Sequence, residues 1–301
     1  MEINNNSNPL ISVIMNCHNG EKFLRQSIES VISQSYKNWE LIFWDNKSND
    51  NSANIFKSYD DNRLKYFYNS SKTTLYKARN LSIQKAQGEF LTFLDTDDFW
   101  SYKRLEKLNS FFLENSEINF IYGNYYILNE KLNTKKIAHK NSNLISGKIY
   151  NSLLERYTVG LVSICFKKKI FLKFDERFDI IGDFDAIMKI SQKNSFGVIK
   201  EPLAYYRLHE KNFSLLNKDK HYEELTTWYN ENLKNNDKIE KFIKEKFEAQ
   251  INELKILSLI LKKNKTEALK LIFKTCSLLK KVRFAFFLIL PEKILKKFIN
   301  R

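Results

Sequence analysis

Glycine, proline and cysteine are scarce in this 301-residue chain, which contains 7, 3 and 3 of them respectively. Cys17, Cys165 and Cys276 are odd in number and far apart, so they suggest neither a disulfide framework nor a CxxC metal motif. Such cysteine usage is typical of a reducing compartment. The chain also lacks a glycine-rich loop of the GxGxxG or GxxxxGK[ST] type, which disfavours dinucleotide oxidoreductases and P-loop NTPases.

A long apolar segment and a secretory leader are missing as well. The longest late apolar run, Phe284 to Leu290, ends at Pro291 and is far shorter than the stretch of about 20 residues that a spanning helix needs. No basic stretch followed by an apolar one opens the chain. We therefore expect a cytoplasmic protein, either soluble or peripheral on the cytoplasmic face of the inner membrane.

Positive charge is plentiful and unevenly distributed. The net charge is +15, and from Lys255 onward only Glu267 and Glu292 oppose many lysines and arginines. No RNA-binding or DNA-binding module accompanies this charge, so we expect no nucleic acid partner. The final stretch, LLKKVRFAFFLILPEKILKKFINR, mixes basic and apolar residues as interfacial helices on anionic membranes do. Packing within the protein is the alternative for this segment.

Strands and helices alternate along the first two thirds of the chain. This alternation predicts an α/β fold with a Rossmann-like, mostly parallel central sheet and helices on both faces. Residues 119–128 and 196–206 are each predicted to form one further strand. After about residue 217 the pattern is helical and charged. We therefore predict a flexible N-terminus (1–8), a catalytic domain (9–215) and a basic α-helical C-terminal extension (216–301).

The segment GEFLTFLDTDDFW carries an apolar strand directly into Asp95, Asp97 and Asp98. Burying unpaired carboxylates costs several kcal/mol or more, so such a cluster is normally solvated or neutralised. One alternative is that Asp98 caps the next helix. The other is a cation site, because Mg²⁺ and Mn²⁺ prefer oxygen ligands and Mg²⁺ often binds through one or two carboxylates plus the substrate's phosphates.

The order of several motifs resembles that of the family 2 glycosyltransferases, which have the GT-A fold and invert the transferred sugar. LISVIMNCHNGEKFLRQSIESVISQSYKNWELIFWDNKSNDNS looks like the family's first strand, helix and second strand. KARNLSIQKAQGEFLTFLDTDDFW looks like its ARN helix and DxD strand. GDFDAIMKI and EPLAYYRLHEKN look like its catalytic-base helix and YRxH segment. The resemblance covers about two thirds of the chain and does not include the basic C-terminus.

This resemblance implies roles for residues that bind the donor. Asp95, Asp97 and Asp98 would hold Mn²⁺ or Mg²⁺ against the diphosphate of a nucleotide-sugar, with Asp95 also counted among the donor-binding residues. The other predicted donor contacts are to the phosphates by Arg79, and to the base by Asn16, His18, Asp45 and Asn46. The family usually has a second acid where this chain has Asn46, so a preference for uracil does not follow. An Asx turn that closes the strand is the alternative for Asp45 and Asn46.

The resemblance also places the catalytic base. Asp183 lies where the family has the Asp of a Glu-Asp pair, and Gly182 replaces the Glu. The alternative for Asp183 is a first-turn acid that the helix dipole favours, which is compatible with the base role. Asp185 is the second candidate for the base. His209 would be a further metal or phosphate contact.

Together these features predict an inverting, metal-dependent glycosyltransferase. It would move a sugar from a UDP-, GDP- or dTDP-linked donor to a carbohydrate acceptor, lipid-linked by expectation, in bacterial surface polysaccharide biosynthesis. Two alternatives stay open at this point. One is a sugar-phosphate nucleotidyltransferase, and the other is a non-catalytic protein that binds polyanions or membranes through its basic C-terminus.

Overall fold

The computed structural model describes residues 8–210, 212–290 and 295, and all structural statements below refer to them. The strands are β1 (Ile11–Cys17), β2 (Trp39–Asp45), β3 (Leu64–Tyr68), β4 (Phe90–Phe93), β5 (Phe99–Trp100), β6 (Phe120–Gly123), β7 (Tyr126–Asn129), β8 (Thr134–Ile137), β9 (Cys165–Lys167), β10 (Phe196–Ile199) and β11 (Ala204–Leu208). The helices are α1 (Glu21–Ile32), α2 (Ser52–Lys57), α3 (Leu75–Ile83), α4 (Arg104–Glu114), α5 (Tyr150–Glu155), α6 (Gly182–Ser191), α7 (Phe213–Leu216), α8 (Lys218–Asn232), α9 (Lys241–Leu261), α10 (Lys265–Thr275) and α11 (Leu278–Ile289).

The larger of two sheets has seven strands, in the order β10-β6-β9-β4-β1-β2-β3. Its strands pair in parallel, except that β9 runs antiparallel to β4 and β6. Strands β1, β2 and β4 are buried almost throughout, as expected for strands covered by helices on both faces. The predicted α/β architecture with a mostly parallel sheet is confirmed.

The position of β1 determines where a site can form. The chain builds β1, β2 and β3 in one direction and then places β4 on the other side of β1, which makes a topological switch point. Cys17 pairs with Asp45 of β2, and Ile14 pairs with Phe93 of β4. The polar residues that follow these strands therefore meet at one edge, where open α/β sheets bind their ligands.

A second sheet, in the order β5-β11-β7-β8, was not expected. The predicted strand at 119–128 is wrong as a single strand, because it consists of β6 in the large sheet and β7 in the small one. The predicted strand at 196–206 is likewise divided into β10 and β11. Pro202 lies in the interruption and lacks the N–H that a continuous central strand would use.

The chain divides into two compact units, one formed by residues up to Tyr150 with Thr158–Arg207, the other by Asn151–Tyr157 with residues from Leu208 onward. In the second unit α8 packs on α9, α9 on α10 and α10 on α11. The predicted helical C-terminus is confirmed, and the predicted flexible N-terminus (1–8) falls almost entirely outside the described residues. The described helices of this protein include none that is long and apolar enough to cross a bilayer. In the second unit a cluster of buried apolar side chains joins α9, α10 and α11, and it consists of Ile256, Ile260, Ala268, Ile272, Phe284, Phe287, Leu288 and Leu295.

Candidate active site

The residues after β1 and β2 are joined by short hydrogen bonds. The Asn46 N–H donates to the Cys17 carbonyl oxygen at 2.8 Å, and Nδ1 of His18 lies 3.1 Å from the Asn46 carbonyl oxygen. His18 is exposed, whereas Asn16 is half-buried with its amide 3.3 Å from the Ser82 hydroxyl. The structure thus brings the predicted base contacts Asn16, His18 and Asn46 to the same edge of the sheet.

Asp45, the fourth predicted base contact, is buried at the end of β2. Its Oδ2 accepts a hydrogen bond from the Tyr66 hydroxyl at 2.7 Å, and its Oδ1 accepts one from the Ser48 N–H at 2.7 Å. Burial raises the pKa of Tyr66, and the hydrogen bond to the Asp45 carboxylate raises it further. The Ser48 contact closes the turn after β2 as an Asx turn does.

Asn46 holds the segment that leads into α3. Its Nδ2 donates to the Thr73 carbonyl oxygen at 2.9 Å, and its Oδ1 accepts from the Thr73 N–H at 3.1 Å. A carboxylate has no proton to donate to a carbonyl oxygen, so an Asp could make only the second of these bonds. The structure therefore gives a local reason for an amide at this position, where the family usually has an acid.

Arg79 of α3 pairs with the first acid of the DxD segment. Its Nη2 lies 2.7 Å from Oδ1 of Asp95, and the Arg79 side chain is only 3% exposed, against 41% for Asp95. Burial alone would lower the pKa of Arg79, but the Asp95 carboxylate and the other acidic groups nearby, including Asp183, together outweigh burial and raise it. For Asp95 itself, burial raises the pKa, Arg79 opposes that effect, and the nearby carboxylates of Asp97 and Asp183 add to it.

The other two acids lie in a turn that Arg207 of β11 holds. The Arg207 N–H donates to Oδ1 of the buried Asp98 at 2.8 Å, and its Nε donates to the Asp97 carbonyl oxygen at 2.8 Å. Burial raises the pKa of Asp98 well above its usual range, and the charges of Asp97 and Asp95 raise it further. The acids of this turn therefore repel one another, and the contacts of Arg79 and Arg207 offset that repulsion only in part.

This donor set has the chemistry that a divalent cation requires. Asp95, Asp97 and Asp98 offer carboxylate oxygens at one turn, and burial together with their mutual repulsion raises the pKa of Asp95 and Asp98. Within the described part of the chain, however, no group of three or more His, Cys, Asp or Glu side chains is placed to hold a metal ion. Mg²⁺ is commonly held by one or two carboxylates together with substrate phosphates, so a complete protein cage is not required.

Asp183 lies in the first turn of α6 and contacts a residue that the sequence analysis did not single out. The Tyr76 hydroxyl is 2.8 Å from Oδ1 of Asp183 and 2.8 Å from the Ile180 carbonyl oxygen. Tyr76 precedes Arg79 by three residues, so both lie on one face of α3. This spacing could have identified Tyr76 as a neighbour of Arg79. The structure thus joins Asp95, Arg79, Tyr76 and Asp183 in one continuous series.

The two remaining candidates, Asp185 and His209, are not members of this series. Asp185 is buried in α6 and its Oδ2 is 2.7 Å from Nζ of Lys189, which leaves it poorly placed to meet an acceptor. His209 belongs to the second unit, where its N–H donates to Oδ1 of Asn212 at 2.6 Å. Its role as a metal or phosphate contact stays a prediction.

Known proteins resemble this chain in sequence and in fold. The chain is 32% identical over 197 residues to the UDP-Glc:alpha-D-GlcNAc-diphosphoundecaprenol beta-1,3-glucosyltransferase WfgD of Escherichia coli, a match that covers 63% of this chain and 73% of WfgD. The fold of this chain is similar to that of S. aureus TarS 1–349 solved with UDP-GlcNAc, with a TM-score of 0.63 and 19% identity over 80% of this chain and 71% of that one. It is also similar to the mannosyltransferase PcManGT of Pyrobaculum calidifontis, solved with GDP-Man and Mn²⁺, with a TM-score of 0.62 and 14% identity over 98% and 86% of the two chains.

The family comparison decides between the functions that the sequence left open. Residues 12–178 match the family described as Glycosyl transferase family 2, which is more than half of the chain. The fold class, including its GT-A character, and the predicted enzyme class are confirmed, and the nucleotidyltransferase and non-catalytic alternatives lose their support. The chain belongs to glycosyl transferase family 2.

Proposed function

We propose that this glycosyltransferase acts by inversion, moving one sugar from a nucleotide-sugar to a hydroxyl of a lipid-linked carbohydrate. The observation that carries the proposal is the series from Asp95 through Arg79 and Tyr76 to Asp183, at the edge where the parallel strands end. Donor-binding and base chemistry both need polar side chains at this edge, and the series supplies them on three separate elements.

The donor would lie along the carboxyl ends of β1, β2 and β4. His18 is exposed and can stack on a base. Asn16, Asp45 and Asn46 lie beside it at the same edge of the sheet. Arg79 orients Asp95 toward the diphosphate. When bound, Mg²⁺ or Mn²⁺ supplies positive charge to the leaving diphosphate. The residues that would hold it are Asp95, Asp97 and Asp98.

Asp183 is the proposed general base. Its carboxylate takes the proton from the acceptor hydroxyl while the hydroxyl oxygen forms a bond to the anomeric carbon of the sugar. The bond from that carbon to the diphosphate oxygen breaks, and the nucleoside diphosphate leaves with the electron pair. Attack from the face opposite the leaving group inverts the anomeric configuration, as the base-assisted attack of water does in inverting glycosidases.

The similarity to WfgD supports the choice of donor and acceptor. That enzyme is named for UDP-glucose and for a sugar carried on diphosphoundecaprenol. The neighbours TarS and PcManGT were solved with UDP-GlcNAc and GDP-Man, so UDP-linked and GDP-linked sugars are the first donors to try, with dTDP-linked ones next. A lipid-linked acceptor places the reaction at the cytoplasmic face of the inner membrane, in the assembly of a surface polysaccharide.

The outer face of α11 supports docking on an anionic membrane. Leu278, Leu279, Val282 and Ile289 are all well exposed, and Leu279 is 84% exposed. Lys280, Lys281 and Arg283 interrupt these residues along the same helix. Apolar side chains that enter the headgroup region beside cations that meet anionic lipids are the features of an interfacial helix. The residues beyond Leu290 that share this composition lie, apart from Leu295, outside the described part of the chain.

The first experiment measures thermal stabilisation by UDP-glucose, UDP-GlcNAc, GDP-mannose and a dTDP-sugar, each with and without Mn²⁺. We expect cation-dependent stabilisation by at least one donor, and its absence for all four contradicts the proposal. Transfer is then measured from the stabilising donor to a synthetic GlcNAc-diphosphate lipid.

The base role is tested by Asp183→Asn, with Asp175→Asn as the control because Asp175 lies outside the series and pairs with Arg177. General-base catalysis contributes about 100-fold or more, so Asp183→Asn should lose at least that much turnover and still be stabilised by the donor. Retained turnover would remove Asp183 from the role of base.

Membrane docking is tested by co-sedimentation with vesicles of phosphatidylcholine, with and without phosphatidylglycerol. The wild type should bind only the anionic vesicles, and Leu279→Glu should weaken that binding. Leu172→Glu is the matched control, since Leu172 is 93% exposed in the first unit. Equal binding by all three proteins would contradict a role for α11.

A further inference from the structure

Tyr76 is a buried tyrosine whose hydroxyl faces the proposed base. The side chain is only 2% exposed, and its single hydroxyl proton lies between Oδ1 of Asp183 and the carbonyl oxygen of Ile180, each at 2.8 Å from the hydroxyl oxygen. Burial raises the pKa of Tyr76 well above its usual range, and the Asp183 charge raises it further. The hydroxyl therefore stays protonated and acts as a donor.

Gly182 gives the Tyr76 ring the space that it occupies. A Cβ atom at position 182 would lie 2.6 Å from both Cγ and Cδ2 of Tyr76, a distance that real contacts do not reach. Those are ring atoms next to the backbone and cannot move away as the end of a flexible side chain can. Tyr76 and any side chain at position 182 are thus mutually exclusive in this arrangement.

Phe174 and Arg79 also lie against the ring. Phe174 lies 5.3 Å from Tyr76 between ring centroids, and its N–H donates to Oδ1 of Asn80 in the same helix as Tyr76. The guanidinium of Arg79 lies 5.3 Å from the Tyr76 ring centroid. Because the ring is held by Gly182, Phe174 and Arg79, its hydroxyl has little freedom, and the carboxylate that accepts its hydrogen bond is held in one orientation.

We propose that Tyr76 is a positioning residue that aims the carboxylate of Asp183 at the acceptor hydroxyl, and that Gly182 is required because it admits the Tyr76 ring. The inference rests on the proposed role of Asp183 as the base. It explains in steric terms why the residue before that base has no side chain. It also makes a tyrosine of α3 and a glycine of α6 a pair that must change together.

The first test is Tyr76→Phe, assayed for transfer with the stabilising donor and the GlcNAc-diphosphate lipid. A hydrogen bond to a charged group supports a loss in kcat of about 10- to 100-fold, with the donor KM changed less than about 2-fold. Tyr122→Phe is the matched control, because Tyr122 is also buried and its hydroxyl donates to the Ile145 carbonyl oxygen at 2.7 Å. The two variants should lose similar thermal stability, while only Tyr76→Phe loses kcat.

Two results of this assay would overturn the proposal. Unchanged kcat in Tyr76→Phe means that the hydroxyl does not position the base. A raised donor KM with kcat preserved means that the hydroxyl serves donor binding and does not position the base. The steric half is tested by Gly182→Ala, which should lower kcat at least as much as Tyr76→Phe, and full activity in Gly182→Ala would contradict it.

A second measurement separates this inference from the proposed function. In a cycle of Tyr76→Phe and Asp183→Ala, the melting temperature of the double variant should fall by less than the sum of the two single losses, because both remove the same bond. This coupling does not depend on turnover, and strict additivity overturns the contact between the two residues. Full turnover in Asp183→Asn would instead overturn the base role, even where the coupling is present.

Discussion

Asn46→Asp gives the sharpest test of the reasoning about the donor edge. The substitution is nearly isosteric and introduces the acid that the family usually has at this position. In this chain Asn46 is buried, and its Nδ2 lies 2.9 Å from the Thr73 carbonyl oxygen. A carboxylate oxygen in that place would face another acceptor with no proton between them. We therefore expect the more family-like residue to destabilise the protein.

The size of the effect follows from the bond that is lost. A buried group left without its partner costs about 1–3 kcal/mol. For a unit of this size about 1 kcal/mol corresponds to about 2–4 °C, so the melting temperature at pH 8 should fall by about 2–12 °C. Asn54→Asp is the control, since Asn54 is exposed and its amide donates only to Oδ1 of Asn51.

The stability of Asn46→Asp should also depend on pH, in a direction that the burial of the new carboxyl determines. Burial, and the Thr73 carbonyl oxygen that would face a carboxylate oxygen, raise the folded-state pKa of the new carboxyl above its unfolded value of about 3.9. A carboxyl group of this kind destabilises the protein above its folded-state pKa, and the penalty is lost as the pH falls toward the unfolded value, where the protonated form can donate to Thr73. Thermal melts of both variants between pH 4 and pH 8 measure this. Equal stability of Asn46→Asp and wild type at pH 8, or a penalty that grows as the pH falls, would refute the reasoning.

Three further outcomes follow from the structure. Asp95→Ala leaves the buried Arg79 without its ion pair and should lower the free energy of unfolding, measured in urea, by about 1–3 kcal/mol. This is less than for a fully buried pair, because Asp95 is 41% exposed. Asp60 is exposed, so Asp60→Ala should leave the free energy of unfolding almost unchanged. Burial, with the Lys218 charge, lowers the pKa of His221 to about 4, so unfolding free energy should fall between about pH 6.5 and pH 4 as the unfolded state takes up a proton, and His221→Gln should flatten that slope. Burial raises the pKa of Cys165 to about 12, so a thiol reagent should label Cys276 first in the native protein and reach Cys165 only on unfolding, and early labelling of Cys165 would contradict its burial.

Local patterns predicted the central elements of the first unit well. The strand-like runs at Leu10–Met15, Trp39–Trp44 and Leu64–Tyr68 form β1, β2 and β3. The helical spacing at Glu21–Gln34 and Asp183–Lys193 forms α1 and α6, and no end of these five elements differs by more than two residues. These elements are continuous apolar runs or helices with one apolar face, so their own side chains determine them. The divided strands at 119–128 and 196–206 were missed, because which sheet a strand joins depends on partners that are remote in the chain.

The candidate site shows the same division between local and remote information. The sequence by itself determined the family and which polar residues follow the strands, because these depend on motifs a few residues long. Only the tertiary structure decided what those residues contact: Asn46 holds Thr73, Arg207 holds the turn of Asp97 and Asp98, and Tyr76 reaches Asp183 across 107 residues of chain. Such contacts leave no periodic signal, since they depend on how strands and helices far apart in sequence pack around β1 and β4.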